Sequence, residues 1–270
     1  MNKKCKIGFI GCGKMASAII KGVISSGFLP AGNLKGSEVN NEISQLAKQR
    51  LGIDVITDNK ELANCSDIIF VATKPNYAAA VLEEIKGELT PDKLLVSICA
   101  GVSTSKIEKI IGKQRVVRVM PNTPAMVLEG MSGVCRGAYA SEDDAQFVVE
   151  LLSNIGKAIE VTEDQIDIVT AISGSGPAFF YKVMEDMARA GEKLGLDYEK
   201  SLQLAVQTAI GSAKMVMKRG EVPVQTLIDN VATKGGCTFV GITVMNDENS
   251  EKLFYDVIEQ TAKKANELGR

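Results

Sequence analysis

The chain has 270 residues, enough for one large or two modest domains, and its 45% hydrophobic and 24% charged residues are ordinary for a globular protein. A net charge of −2 leaves no basic surplus for a phosphate backbone, so no nucleic-acid partner is expected, and no apolar run approaches the ~20 residues that span a bilayer. Histidine is absent, which removes Ser-His and Cys-His nucleophiles and any His-ligated metal, and the six cysteines contain no CxxC pair, so neither a disulfide framework nor a metal site is expected.

In chain order, Met1 to Lys4 lead straight into Ile7, Phe9 and Ile10, a short buried strand. That leaves no room for a signal peptide and points to the cytoplasm. Gly11 and Gly13 follow, and residues 15–26 carry helical apolar periodicity. Strand, glycine turn and helix in this compass form the first half of a dinucleotide-binding unit. Gly11 makes the tight turn, Gly13 lets the backbone approach a pyrophosphate, and Ala16 stands in for the third glycine. The helix start aims unpaired N–H groups at the phosphates.

A second strand, residues 33–37, ends in Ser37-Glu38-Val39-Asn40, at the place where a side chain meets the adenosine ribose. Glu38 there accepts from a 2′-hydroxyl and favours NAD. Ser37 and Asn40 donate instead to a 2′-phosphate, although no arginine stands beside them in sequence. Both readings stay open.

Helix 42–51, strand 54–56 and a short helix begun by Thr57-Asp58-Asn59 come next. The apolar run Ile68 to Ala72 reads as a central parallel strand, and Thr73-Lys74-Pro75 places Ala72 and Lys74 at its carboxyl end, where ligands sit. Helix 77–85 precedes strand 94–98, which ends in Cys99-Ala100-Gly101-Val102, residues small enough for a flat ring to approach. Helix 104–111 and strand 116–120 follow. That strand ends in Pro121-Asn122-Thr123-Pro124-Ala125, a rigid loop read either as part of the site or as a turn. Strands 131–135 and 158–161, around helix 142–154, complete the alternation. The spacing predicts an α/β, doubly wound sheet over 1–162 and an all-helical domain over 163–270.

In the second half, helix 164–172 runs into a loop, Ser173-Gly174-Ser175-Gly176-Pro177. Helices 178–194 and 198–219 follow, the latter with a face of small residues suited to a second subunit, and Gly220-Glu221-Val222-Pro223 closes it. In Thr233-Lys234-Gly235-Gly236-Cys237-Thr238, two glycines between threonines precede the helical pattern 239–245. They read as a nest whose amides grip a carboxylate, or as a turn before an ordinary Thr238 N-cap. Helix 251–268 ends the chain.

With GFIGCGKMA, ATKP, SICAGV, VMPNTPA, ISGSGPA and DNVATKGGCT in that order, the chain resembles the pyrroline-5-carboxylate reductases over essentially its full length. The resemblance implies an N-terminal Rossmann-like domain and an all-helical C-terminal dimerisation domain. It implies reduction of 1-pyrroline-5-carboxylate to L-proline by NADPH or NADH, in homodimers with interleaved helical domains that assemble further. The active site is then expected between the cofactor domain of one subunit and the helical domain of the other. Cofactor contacts are implied for Gly11, Gly13, Lys14, Met15, Ser37, Asn59, Ala72, Lys74, Pro75, Ala100 and Asn230. Substrate contacts are implied for Thr233, Gly236, Cys237 and Thr238, with Thr238 donating to the ring nitrogen as the catalytic group, and for Glu163 and Glu221 at or near that site. No metal is implied.

The sequence departs from the family pattern at Thr73, where Val is usual, at Lys234 (Pro), at Lys14 (Asn or Gln) and at Cys237 (Thr or Ala). Cys12 and Cys237, both in ligand loops, are expected to be open to alkylation. A related enzyme acting on a β-hydroxyacid or another small imine is the alternative; for the hydroxyacid it needs a catalytic lysine, for which Lys182 and Lys214 are available, but the neighbouring Asn expected with it is missing from either. A non-catalytic nucleotide sensor would leave the second glycine loop without a purpose.

Overall fold

A computed structural model describes residues 5–269; the lead Met1 to Lys4, read above for signal peptides, lies outside the described residues. The first strand, β1 (Ile7–Ile10), is buried at every position, which requires neighbouring strands on both sides and helices on both faces. After the glycine turn, α1 (Lys14–Ser25) lays Ala16, Ile19, Ile20 and Val23 against the sheet. β2 (Leu34–Ser37) leads to α2 (Asn41–Leu51), which starts where the Asn40 side chain accepts from the Ile43 N–H and stops at left-handed Gly52. β3 (Asp54–Ile56) is followed by α3 (Asn59–Asn64), capped by Asp58. β4 (Ile68–Val71) gives way to α4 (Pro75–Ile85), whose leading proline supplies no N–H at a position that needs none. β5 (Leu94–Ser97), α5 (Thr104–Ile111) and β6 (Arg115–Met120) continue the alternation.

These six strands are parallel and lie in the order β3-β2-β1-β4-β5-β6, the arrangement of dinucleotide-binding sheets. Two more strands extend the β6 edge. β7 (Gly130–Arg136) returns through a short loop and is therefore antiparallel to β6. A crossover through α6 (Glu142–Leu152) then sets β8 (Gly156–Glu160) parallel to β7. Phe9 and Phe70 stack across β1 and β4 with ring centroids 4.7 Å apart. Each such fully buried side chain contributes about 1.5–3 kcal/mol.

Beyond β8 the chain is helical. A 3₁₀ turn at Glu163–Gln165 enters α7 (Ile166–Val169). The expected loop through Ser173-Gly174-Ser175-Gly176-Pro177 does not form. Residues Thr170–Gly174 make a π-helical turn instead, with the Ser175 N–H donating to Thr170 O at 2.8 Å. A Cβ on Gly174 would lie 2.6 Å from the Met120 methyl, so this glycine leaves room for the flexible end of that side chain. Then come α8 (Gly176–Lys193), α9 (Tyr198–Lys218), α10 (Val224–Val231), α11 (Cys237–Asp247) and α12 (Ser250–Gly269). The α10 helix has no counterpart in the sequence reading, because eight residues are too few for a clear period.

Contacts divide the chain into two compact units, residues 5–175 with 261–269, and residues 176–260. The sheet ends at Glu160, and Ile166 and Ala171 are buried, so by contacts residues 163–175 group with the first unit. No helix among the described residues is long and apolar enough to cross a membrane.

One buried cation fastens the first unit. Lys93, 8% exposed, donates through Nζ to Ala63 O at 2.7 Å, Asn64 O at 3.0 Å and Ser66 O at 2.8 Å, at the C-terminus of α3. Lys93→Met keeps the stem but strands these carbonyls. It should lower stability by about 1–3 kcal/mol, read as a lower urea midpoint at unchanged slope.

Candidate active site

The glycine turn after β1 is set by two close approaches. Gly11 has φ +89°, and a Cβ there would sit 2.9 Å from Ala72 O, so only glycine lets the β1 and β4 ends converge. Its N–H donates to Ser37 O at 3.0 Å, tying the turn to β2. Gly13 is the N-cap of α1 and no side chain caps that helix. A Cβ on Gly13 would meet nothing within 4 Å, so the helix start opens outward. Bare first-turn amides beside an open glycine suit a pyrophosphate, and the residues present fit a dinucleotide. Lys14 is exposed there and Met15 half-buried.

The peptide between these glycines is held from both ends. The Cys12 N–H donates to Glu38 Oε1 at 2.7 Å, while Cys12 O accepts from Arg50 Nη2 at 2.6 Å and Ser17 Oγ at 3.1 Å. Arg50 was invisible in the sequence reading because α2 alone carries it to the turn. Burial first, and the Glu38 charge second, push the Cys12 thiol up to about 12. The expectation that Cys12 is open to alkylation is thus corrected; Cys237 is exposed.

Other expected cofactor contacts gather at the carboxyl ends of the parallel strands. Buried Ser37 donates its hydroxyl to Asn59 Oδ1 at 2.7 Å, and Asn59 Nδ2 donates to Glu84 Oε2 at 2.9 Å. Ala72 continues β4, its N–H donating to Ile10 O at 2.9 Å. Lys74 is exposed at the N-cap of α4, followed by Pro75. Ala100 is exposed just beyond β5. The loop at Pro121 is anchored by Asn122, which donates to Ser173 O at 3.1 Å and accepts from the Met131 N–H at 2.8 Å.

Glu163 is engaged within the first unit. Its Oε2 accepts from the Thr104 hydroxyl at 2.7 Å and the Thr104 N–H at 3.2 Å, and its Oε1 pairs with buried Arg118. Sequence reasoning passed over Arg118, yet a charge inside the strand pattern Arg115-Val116-Val117-Arg118-Val119-Met120 was a visible signal. Burial opposes ionisation of Glu163, but Thr104 and Arg118 together hold its carboxyl below the ordinary value of 4.5. Burial, followed by the Glu163 charge, pushes the neighbouring Cys135 thiol up to about 12. Arg118 and Glu163 line an open cavity of about 530 Å³ with Gly101, Ser103, Asp164 and Asp167.

A carboxyl group depressed on folding stabilises fully above its unfolded value and loses that contribution as pH falls through its folded one. Glu163→Gln should therefore cost about 1–3 kcal/mol at pH 7, because buried Arg118 loses its partner. The gap to wild type should shrink as pH drops below 4.5, as urea unfolding at neutral and acid pH would measure.

In the second unit, Gly235 at φ +81° turns the chain and the Gly236 N–H donates to Thr233 O at 2.9 Å. Gly236 is the N-cap of α11, without a side-chain capping bond, and Cys237 opens the helix. The reading of Thr238 as the N-cap is overturned: it is half-buried in the first turn, its hydroxyl not used for capping. Thr233, Gly236, Cys237 and Thr238 thus share one turn whose amides no side chain caps. Glu221 lies exposed in the turn after α9, and Asn230 is exposed near the end of α10.

A six-strand dinucleotide sheet with an uncapped glycine turn, followed by a helical unit, defines a nucleotide-dependent oxidoreductase of the Rossmann class. Residues 6–101 match the family described as NADP oxidoreductase, coenzyme F420-dependent, and residues 163–268 match pyrroline-5-carboxylate reductase dimerisation. The pyrroline-5-carboxylate reductase of Methanosarcina acetivorans is 39% identical over 266 residues, covering 98% of each chain. A solved pyrroline-5-carboxylate reductase from Coxiella burnetii is 33% identical with TM-score 0.93 over 99% of both chains. The Plasmodium falciparum pyrroline carboxylate reductase, solved with NADP bound, is 34% identical with TM-score 0.87 over 100% of both. The chain belongs to the pyrroline-5-carboxylate reductase family.

Proposed function

We propose that the chain reduces 1-pyrroline-5-carboxylate to L-proline with NADPH or NADH, as a homodimer. The observation that carries this reading is the turn at Gly235 and Gly236, which opens α11 without a side-chain cap and sets Thr238 in its first turn. Family membership supplies the reaction; this turn supplies a place for the substrate's acid group.

A cyclic imine protonated on nitrogen is already electrophilic at carbon. A chain without histidine can therefore serve the reaction by orientation alone. The Cys237 amide at the open helix start receives the ring carboxylate, with Gly236 and Thr233 beside it, and the Thr238 hydroxyl hydrogen-bonds the ring nitrogen, donating to the neutral imine and accepting from the N–H once it is protonated. Glu221 adds negative charge favourable to the protonated imine, while Glu163, its charge met by Arg118, stands at or near the site. Gly11, Gly13, Lys14 and Met15 hold the pyrophosphate, and Ser37 and Asn59 border the ribose. Ala72, Lys74, Pro75 and Ala100 flank the remaining dinucleotide, with Asn230 contributed by the second unit. When bound, the reduced nicotinamide supplies the hydride. Lys182, which a β-hydroxyacid enzyme would need free, is paired with Asp186 one turn along α8.

Exposed Phe180, Met187, Leu204, Phe239 and Phe254 support extending the proposal to helical units that interleave between partners and to assembly beyond the dimer. The six free thiols fit a reducing compartment, the cytoplasm.

With the imine present, the enzyme should oxidise NADPH or NADH, and Thr238→Ala should lower kcat/KM about tenfold or more, with cofactor binding retained. Unchanged kinetics in that variant would remove Thr238 from the scheme. Failure of the wild type to oxidise either cofactor with the imine would overturn the reading.

A further inference from the structure

We infer that Glu38 makes this enzyme select the dinucleotide with a free 2′-hydroxyl, NADH, over its 2′-phosphorylated counterpart. The inference rests on a dinucleotide binding at the Gly11 turn and is independent of which imine is reduced.

Glu38 is the first residue past β2, and its own N–H still donates to Ile56 O at 2.9 Å, so the backbone there is part of the sheet. Its half-buried side chain is fixed by the 2.7 Å bond from the Cys12 N–H to Oε1. Among the described residues no donor engages Oε2. A carboxylate oxygen held at the end of β2, beside the phosphate-binding turn, is an acceptor for a ribose diol. The same oxygen repels a phosphate dianion.

One group that would favour the phosphate is already committed. The Ser37 hydroxyl donates to Asn59 Oδ1 at 2.7 Å and is buried. Asn40 Oδ1 caps α2 through the Ile43 N–H at 2.9 Å, which holds that side chain against the helix start and leaves its neutral Nδ2 as the donor. Arg50, the guanidinium that α2 delivers to this turn, donates through Nη2 to Cys12 O at 2.6 Å and keeps its charge there. At the carboxyl end of β2 the charged side chain is Glu38. The two readings that the sequence left open, Glu38 accepting or Ser37 and Asn40 donating, therefore resolve towards Glu38.

The test is direct binding of NADH and NADPH, followed by nicotinamide fluorescence with no imine present, on wild type, Glu38→Gln and Glu38→Ser. Wild type should bind NADH roughly tenfold or more tightly than NADPH. Glu38→Gln keeps an acceptor for the Cys12 N–H and should bring the ratio towards one, weakening NADH while strengthening NADPH. Glu38→Ser removes the charge with a smaller side chain and should do the same if the first variant does not fold. Equal binding or a preference for NADPH in the wild type would overturn the inference. So would variants that weaken both dinucleotides equally, since that is the mark of a merely structural bond to the turn. Selective NADH binding without turnover of the imine would sink the substrate reading and leave this one standing.

Discussion

The first unit depends on one place where two backbones touch. Gly11 leaves β1 with a positive φ, and its α-carbon faces Ala72 O so closely that a Cβ would stand at 2.9 Å. Any side chain there must push β4 away from β1 or break the turn, because the conflict is with backbone and cannot be relieved by a rotamer change. From that contact follow the entry angle of α1 and the orientation of its bare amides. The pairing of the turn with β2 through Ser37 O follows too.

The same economy of space recurs around it. Cys12 can bury its thiol between the glycines because Gly36, opposite on β2, carries no side chain: a Cβ there would lie 2.5 Å from the sulfur. Gly174, in the π turn, leaves room in the same way for the Met120 methyl. In these three cases glycine makes room for what lies against it, and at Gly11 that neighbour is backbone that cannot give way. Only at Gly11 is it also required by its own dihedral angle.

That distinction explains what could be read from the sequence. Local signals were enough for β3, Asp54–Ile56, and for α5, Thr104–Ile111, whose ends match the reading to the residue, since alternation and capping act over a few positions. They were enough as well to place the glycine turn and the strand ends around it. They failed where the deciding partner is distant in the chain. Ser173-Gly174-Ser175-Gly176-Pro177 looks like a loop, and nothing local in it shows that Met120 lies against Gly174. Glu163 looks free until β6 delivers Arg118. At Thr238 the sequence offered two chemistries, and the position of Gly236 as N-cap separates them. The role of Arg50 needed the geometry of α2, which sets its guanidinium against the turn.

The two units differ in how they bury themselves. The sheet unit has large aliphatic and aromatic side chains sealed inside it, whereas among residues 176–260 the buried apolar side chains are Ala188 and Ala205. Phe180, Leu204 and Phe254 stay on the outside. A helical unit built this way draws its cohesion from mass action: association supplies the apolar burial that its own fold does not. Dilution then acts on it as a denaturant does, and its melting temperature carries a concentration dependence that the sheet unit, taken alone, would lack.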